Sequence, residues 1–258
     1  MQAVKTDFYD SITKKSNFWR FSNSQFIQKM AAELPPGSLL LDLGCGPGEY
    51  RILFHNQCYI GVDVGLSFSE LDCVADVNRL PFHDQSVDVV LASNLLEHIS
   101  TPDLLLDEIN RVLKPSGKLY VLVPFLIKIH QAPVDFFRYT KYGLRYLLNK
   151  AGFTEISFET VGGLFALQGV LLSIMFSRIL ILLSKKRGGH IAVRFLYPVW
   201  SIFYYRVLLP VLHRLDALDD NDDLTLGYMG KFQKADHPTE TSASCTLELK
   251  RKLSSKWG

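Results

Sequence analysis

A chain of 258 residues, 48% hydrophobic and 21% charged, has a globular composition with an apolar tilt and room for one large α/β domain with an elaboration. A formal net charge of only +2 provides no concentrated basic face, which argues against nucleic acid as a partner. The four cysteines, Cys45, Cys58, Cys73 and Cys245, form no CxxC pair and lack histidines at metal-ligand spacing, so a reduced, cytosolic setting is expected and no metal is.

Residues 1–37 are polar and aromatic, with Phe8-Tyr9, Phe18-Trp19 and then Phe26-Ile27 and Met30 at helical intervals before Pro35-Pro36-Gly37. They read as one or two helices, without the continuous apolar run of a secretory signal. Next comes the stretch that organises the chain. Leu39-Leu40-Leu41-Asp42-Leu43 is an apolar strand, Gly44-Cys45-Gly46 a tight loop, and Pro47-Gly48-Glu49-Tyr50 a helix start with proline in its first turn. Such glycines let a ligand approach the backbone, and exposed N–H groups at the helix start would favour an anionic group. A dinucleotide fingerprint needs a third glycine where Glu49 stands, and the Gly-Lys-Ser/Thr ending of a phosphate loop is missing. The spacing Asp-x-Gly-x-Gly-x-Gly after an apolar strand instead resembles motif I of the class I S-adenosylmethionine-dependent methyltransferases, of the type 11 kind.

The resemblance continues downstream. Cys58–Asp63 is a second strand, and Asp63 stands 19 residues beyond Gly44, the separation that puts a carboxylate opposite a ribose diol. A plain turn carboxylate at a strand end is the alternative. Residues 71–75 form a third strand, and Ala75-Asp76-x-x-x-Leu80-Pro81-Phe82 resembles the methyltransferase segment beside adenine. That likeness implies that Asp76 accepts from the exocyclic amine and Val77 packs on the ring; Asp76 as a helix N-cap competes. Ser86–Ala92 is strand four, and in the resembled family the backbone after it, here Ser93-Asn94, faces the methionine half of the cofactor. Glu97-His98 reads as a packing or capping pair. Taken together, the resemblance implies that S-adenosylmethionine is held by Asp42, Gly44, Cys45, Gly46, Gly48, Asp63, Val64, Asp76, Val77 and Asn94. It also implies that Tyr9 and Trp19 of the N-terminal arm form a lid, unless they pack outside the sheet.

Residues 102–113 form a helix with Leu105, Ile109, Val112 and Leu113 on its apolar stripe, Lys114–Gly117 a turn, and Lys118–Pro124 strand five. The expected fold is α/β, a doubly wound, mainly parallel, seven-stranded Rossmann-like sheet with its ligands at the carboxyl ends of the strands.

The loop after strand five carries His130, Asp135, Arg138 and Tyr139, the candidate acceptor-binding and catalytic residues, ahead of a helix over 141–150. Its pattern His-x-x-Pro-x-Asp-Phe-x-Arg-Tyr-Thr resembles methyltransferases of bacterial surface-glycan and lipid-modification pathways. An Asp135–Arg138 ion pair that only shapes the loop is the other reading. Near neutral pH, His130 is the side chain best suited to take a proton from an acceptor hydroxyl. Methyl transfer itself asks mainly for a dry site that aligns donor and acceptor.

Strand six is placed at Thr154–Phe158 and strand seven as far on as Leu224–Phe232. From Thr160 to Leu215 there is no carboxylate, and the charged residues are Arg178, Lys185, Lys186, Arg187, Arg194, Arg206 and Arg214. A helix over 163–183 would be long enough to cross a ~30 Å hydrocarbon core. Both ends of the insertion must return to one sheet, so a spanning hairpin would put Lys185-Lys186-Arg187 on the far side, against the positive-inside tendency. A hairpin lying in an anionic interface fits better; a substrate cap or dimer-forming helices are the alternative. Asp216–Asp223, with five aspartates, reads as a solvated return loop, and the polar tail lacks apolar periodicity. The organisation is thus an N-terminal arm (1–37), a core (38–158 with 224–233), a basic apolar helical insertion (159–223) and a disordered tail (234–258). The expected activity is methyl transfer to oxygen of a membrane-associated lipid or lipid-linked glycan, in the cytoplasm at the inner face of a membrane; the expected partners are a small-molecule or lipid-linked acceptor and a membrane met peripherally through residues 160–215, with a homodimer possible. Methylation of a soluble metabolite and a non-catalytic membrane adaptor on the same fold are the alternatives.

Overall fold

The computed structural model describes residues 18–65, 71–185, 189–219 and 222–235. Tyr9, Lys186, Arg187, Cys245 and residues 236–258 of the tail, for which roles were expected above, lie outside them. The chain divides into a sheet-bearing unit of residues 26–159 and 228 onward, and a helical unit of residues up to 25 and 160–227.

The sheet has seven strands in the order β3-β2-β1-β4-β5-β7-β6. They are β1 (Leu39–Leu43), β2 (Cys58–Asp63), β3 (Cys73–Val74), β4 (Val87–Ser93), β5 (Leu113–Pro124), β6 (Phe153–Val161) and β7 (Gly227–Lys234). β1 lies between β2 and β4, parallel to both, with Leu41 opposite Ile60 on one side and Val90 on the other. A parallel strand covered on both faces must be apolar almost throughout. Leu40, Leu41 and Leu43 are fully buried, as are Val90, Leu91 and Ala92 of β4 and Val121, Leu122 and Val123 of β5. β7 runs antiparallel to β6. The Leu226 N–H donates to Val161 O at one end, and the Ala235 N–H to Gly152 O at the other.

Residues 114–117 do not form the expected turn. β5 already begins at Leu113, and the pairs Val87–Leu113 and Val89–Lys118 leave the extra residues as a bulge in one continuous strand. Ser116 takes φ +59, and a side chain on Gly117 would sit 2.8 Å from Lys114 O, so the bulge is tightly fixed. Among the described residues, fewer helices alternate with the strands than the sequence pattern suggested. Helix α1 spans Phe18–Glu33, α2 Pro102–Val112 and α3 Lys141–Lys150. α2 starts with Pro102 and buries Leu105, Leu106, Ile109 and Val112 completely, a 3.6-residue stripe facing the core. α3 is capped by Thr140, whose Oγ1 accepts the Gly143 N–H at 3.1 Å, and it stops at Gly152 with φ +81.

The helical unit holds α4 (Leu164–Ser184), α5 (Gly189–Phe203), a π-turn (Tyr204–Leu208) and α6 (Leu209–Asp216). Phe176 stacks on Trp200 with centroids 4.3 Å apart, and Gly169 lets Leu212 and Tyr204 come close to the α4 backbone. Asp216 does not belong to a solvated loop. Its Oδ1 accepts the Phe165 N–H at 2.9 Å, and its Oδ2 accepts the N–H groups of Gly163 and Ala166, each at 3.0 Å. Gly163, in the N-cap position, has no side chain for these unpaired donors, so the carboxylate that ends α6 caps α4. In this way the helical unit is closed on itself. Trp19, the other lid candidate, is buried.

Candidate active site

The loop after β1 is built from glycines. Gly44, Gly46 and Gly48 take φ +68, +54 and +74, so the chain alternates through the left-handed region and stays in consecutive turns. It therefore leads into no α-helix at Pro47. A four-residue 3₁₀ turn, Arg51–Phe54, is all that follows before β2. The loop's N–H groups are also engaged internally. Gly44 and Cys45 donate to Val62 O, Gly46 to Asp63 Oδ2 at 2.9 Å, and Gly48 to Cys45 O. The expected anion-binding helix start is absent here.

Asp63 ends β2 with its two oxygens on the Gly46 and Gly65 N–H groups, the latter at 2.8 Å. A carboxylate has about four lone-pair sites, so two remain for a diol. Val64 beside it is exposed. Cys45 packs under the loop against Gly61, where a Cβ would lie only 2.8 Å from Sγ, and burial pushes its thiol up to about 12. Asp42 is buried within β1 and accepts the Tyr59 hydroxyl at 2.6 Å. Burial drives its carboxyl up to about 7, against the opposing pull of that hydrogen bond.

Asp76 is exposed and starts no helix. Its Oδ1 accepts the backbone and side-chain N–H groups of Asn78, a turn held by its own carboxylate. Val77 belongs to the hydrophobic core, with 4% of its surface exposed, which leaves little of it to meet a ring. After β4, Asn94 takes φ +53, and its N–H donates to Leu122 O at 2.9 Å.

Beyond Asn94, two loops meet. Glu97 lies in a one-turn 3₁₀ helix (Leu96–His98), and its carbonyl accepts the N–H groups of Phe136 and Phe137 from the loop after β5. Tyr139 is buried and donates its hydroxyl to Leu96 O at 3.0 Å, fixing the same junction. Asp135 and Arg138 form a fork: Nη1 lies 2.5 Å from Oδ1 and Nη2 2.8 Å from Oδ2. Asp135 also accepts the His130 backbone N–H at 2.8 Å. Hydrogen bonds from Arg138 hold its carboxyl well below the usual carboxylate range. The Asp135–Arg138 pair thus sets the position of His130.

His130 in turn faces a group that reading in linear order discounted. Its Nε2 is 3.8 Å from Glu97 Oε1, the His98 Nε2 is 3.8 Å from the same oxygen, and the two imidazoles meet edge to face at 4.8 Å. The Glu97 carboxylate is fully buried with no hydrogen-bond partner on either oxygen, and burial lifts its carboxyl to about 8. Burial also lowers the pKa of His130, which favours the neutral, proton-accepting imidazole. The adjacency of Glu97 and His98 was the available signal. Nothing in the spacing linked them to His130, 32 residues away.

The residues singled out in the Gly loop, at the end of β2 and after β4 and β5 all follow carboxyl ends of mutually parallel strands, where open α/β sheets bind their ligands. A methyltransferase-domain family model matches residues 41–121. An Arabidopsis thaliana tRNA (carboxymethyluridine(34)-5-O)-methyltransferase is 30% identical over 125 residues, 45% of this chain and 31% of that enzyme. An uncharacterised methyltransferase of Mycobacterium tuberculosis is 38% identical over 99 residues, 33% of this chain and 39% of the relative. The chain thus spans well under two thirds of the length of these relatives. Among solved structures, Haemonchus contortus phosphoethanolamine N-methyltransferase 2, in complex with S-adenosyl-L-methionine, superposes with a TM-score of 0.51 at 20% identity, over 83% of this chain and 52% of that one. The [4+2]-cyclase SpnF superposes with a TM-score of 0.50 at 21% identity, over 81% and 80% of the two chains. The strand order with β7 returning antiparallel beside β6 and the superposition on these structures give one answer for the architecture, the Rossmann-like fold of the class I methyltransferases, and residues 41–121, from β1 into β5, match the methyltransferase-domain family.

Proposed function

We propose that the protein transfers a methyl group from S-adenosylmethionine to an oxygen of an amphiphilic, membrane-associated acceptor, a lipid or a lipid-linked glycan. The cofactor would lie along the Gly44–Gly48 loop, with its ribose diol on the free lone pairs of Asp63 and its methionine half by Asn94. His130, held by the Asp135–Arg138 fork, is the group placed to receive the acceptor's proton. The sulfonium already activates the methyl group, so alignment in a dry site supplies most of the remaining help.

The observation that carries the acceptor class is the surface of the helical unit. On α4, Leu171, Met175, Ile179 and Leu182 point outward; on α5, Ile191, Phe195, Val199 and Ile202 do the same. Both sets repeat at i, i+4, i+8 and i+11, a helical stripe. Leu164–Ser184 and Val193–Asp216 are long and apolar enough to cross a membrane, yet only 17% and 11% of an 18-residue apolar window in each is buried. In sequence, residues 160–215 hold no carboxylate and seven Lys and Arg residues. An apolar face with a purely basic escort suits the interface of an anionic leaflet. A helical unit lying there brings the covalently attached methyltransferase core to lipid-soluble acceptors.

The test is calorimetric titration with S-adenosylhomocysteine, followed by flotation of the same protein with vesicles containing anionic lipid. Binding together with salt-sensitive flotation is expected. Binding without flotation would redirect the acceptor search to soluble molecules, tRNA included, and make the two stripes a cap or dimer face. No binding by folded protein would refute the activity. Once an acceptor is identified, His130→Ala should slow turnover more than it weakens acceptor binding.

A further inference from the structure

We infer that Glu97, His98 and His130 form a binding site for a divalent first-row transition ion, with zinc the best match to the donor set. Three kinds of observation carry this inference, and none depends on the methyl-transfer reading. The first is geometry: one ligand atom from each residue lies within 4.8 Å of the others, and Glu97 Oε1 is 3.8 Å from both Nε2 atoms. Two ligands of a tetrahedral zinc at 2.0–2.1 Å are about 3.3 Å apart. Each of the two Glu97–imidazole distances exceeds that spacing by about 0.5 Å, so loading the site asks for small side-chain rotations that draw both rings toward the carboxylate.

The second is unmet bonding. Both Glu97 oxygens and the His98 Nε2 are buried without hydrogen-bond partners. Buried polar atoms are rarely left so, and three on one small volume call for something to fill it. The third is the outer support. His98 Nδ1 lies 2.6 Å from Val134 O, which puts the proton on Nδ1 and the lone pair on Nε2, toward Glu97. His130 Nδ1 lies 3.3 Å from Lys128 O and 3.6 Å from Asp135 Oδ2. Ligating histidines characteristically have their second nitrogen held by a carbonyl or carboxylate. Arg138 Nη2 also lies 3.4 Å from His130 Nδ1, a longer contact than its bonds in the fork with Asp135, and a proton on Nδ1 pointing to Lys128 O leaves Nε2 free for the ion.

Two imidazoles and one carboxylate favour zinc, cobalt, iron or manganese over magnesium, which prefers an all-oxygen shell. Three protein ligands leave a coordination position open for water or another oxygen ligand. If the methyl-transfer reading holds, the open position would take the acceptor oxygen and the ion would lower the pKa of its hydroxyl, whose proton would then pass to solvent, since His130 would act as ligand and no longer as proton acceptor.

The test uses the full chain, stripped with a chelator and titrated with Zn(II) and, separately, with Co(II), whose visible absorption reports its coordination. One equivalent should bind with micromolar or tighter affinity, and Co(II) should show the intense bands of a low-coordinate N/O site. His130→Ala, on a partly exposed loop, should weaken binding at least 100-fold while leaving S-adenosylhomocysteine binding intact, and Glu97→Gln should do the same wherever it folds. Absence of stoichiometric binding would overturn the inference, as would unchanged affinity in His130→Ala, since the ion would then sit on the cysteines or the aspartate-rich segment. S-adenosylhomocysteine binding is read in the same samples, so loss of the metal site and failure of the methyltransferase reading give different patterns.

Discussion

Asp216→Ala removes the single side chain that satisfies the start of α4. Three N–H groups, those of Gly163, Phe165 and Ala166, lose acceptors at 2.9–3.0 Å. Loss of a helix N-cap costs about 1 kcal/mol, and loss of a carboxylate from the positive end of the helix a further ~0.3–1 kcal/mol. Asp216 is only part-buried, so water replaces some of these bonds. The expected cost is therefore about 1.5 kcal/mol, confined to the helical unit. Hydrogen exchange followed by mass spectrometry can localise it: amides over 164–170 should exchange about 10-fold faster, at a factor of ten per 1.4 kcal/mol, while β1 and β4 keep their protection. Asp216→Asn retains one acceptor oxygen and should show roughly half the effect in free energy. If α4 exchanges at the wild-type rate in Asp216→Ala, the carboxylate does not fix the start of this helix.

Asp63→Ala should weaken S-adenosylhomocysteine binding by at least 10-fold in calorimetry with the circular dichroism spectrum retained; unchanged affinity would remove the ribose assignment. Asp42 gives a pH prediction. Its folded-state pKa is raised, so between about 4 and about 7 the unfolded chain has lost a proton that the folded chain keeps, and stability falls as pH rises through that window. Asp42→Asn can still accept from Tyr59, so in urea melts it should flatten that slope, gaining on the order of 3 kcal/mol relative to wild type between pH 4 and pH 7; parallel pH profiles would show that Asp42 titrates normally. Gly61→Ala places a Cβ 2.8 Å from Cys45 Sγ and should cost ~1–3 kcal/mol in a thermal melt, with Cys45→Ala in the same chain restoring most of it. Failure of the second substitution to rescue would locate the strain elsewhere.

The parts of the fold that could be read from sequence are those where one local signal decides the outcome. Leu39–Leu43 and Val87–Ala92 are apolar runs because a doubly covered parallel strand allows little else, and α2 shows its stripe in the order of its residues. Thr140 and Gly152 bracket α3 by the same local chemistry. The departures come from competition that neighbouring residues do not reveal. Pro47 suits a helix start, but three left-handed glycines keep the chain turning; Lys114–Gly117 suits a turn, but pairing with β4 keeps it in a strand. Asp216 looked like one aspartate in a solvated run, and its partners lie 50 or more residues back along the chain. The Glu97–His98–His130 group was out of reach for the same reason. Each member has an ordinary local explanation, and only the parallel placement of β4 beside β5 brings their following loops together.

The short 3₁₀ turn after β1 has a bearing on which nucleotides the loop accepts. A diphosphate in a dinucleotide-binding fold draws on the summed dipole of a long helix and on free N–H groups at its start. Here the N–H groups of Gly44, Cys45, Gly46 and Gly48 are already taken, and four residues of 3₁₀ turn add almost no dipole. The site therefore offers little reward for phosphate charge, and a doubly negative ligand beside Asp63 would meet repulsion instead. A nucleoside without phosphates loses nothing in such a loop, and one carrying a sulfonium is spared the positive potential that a helix N-terminus would aim at it. With the cofactor placed along this loop as proposed, charge selection among adenosine-containing molecules would follow from leaving out a helix.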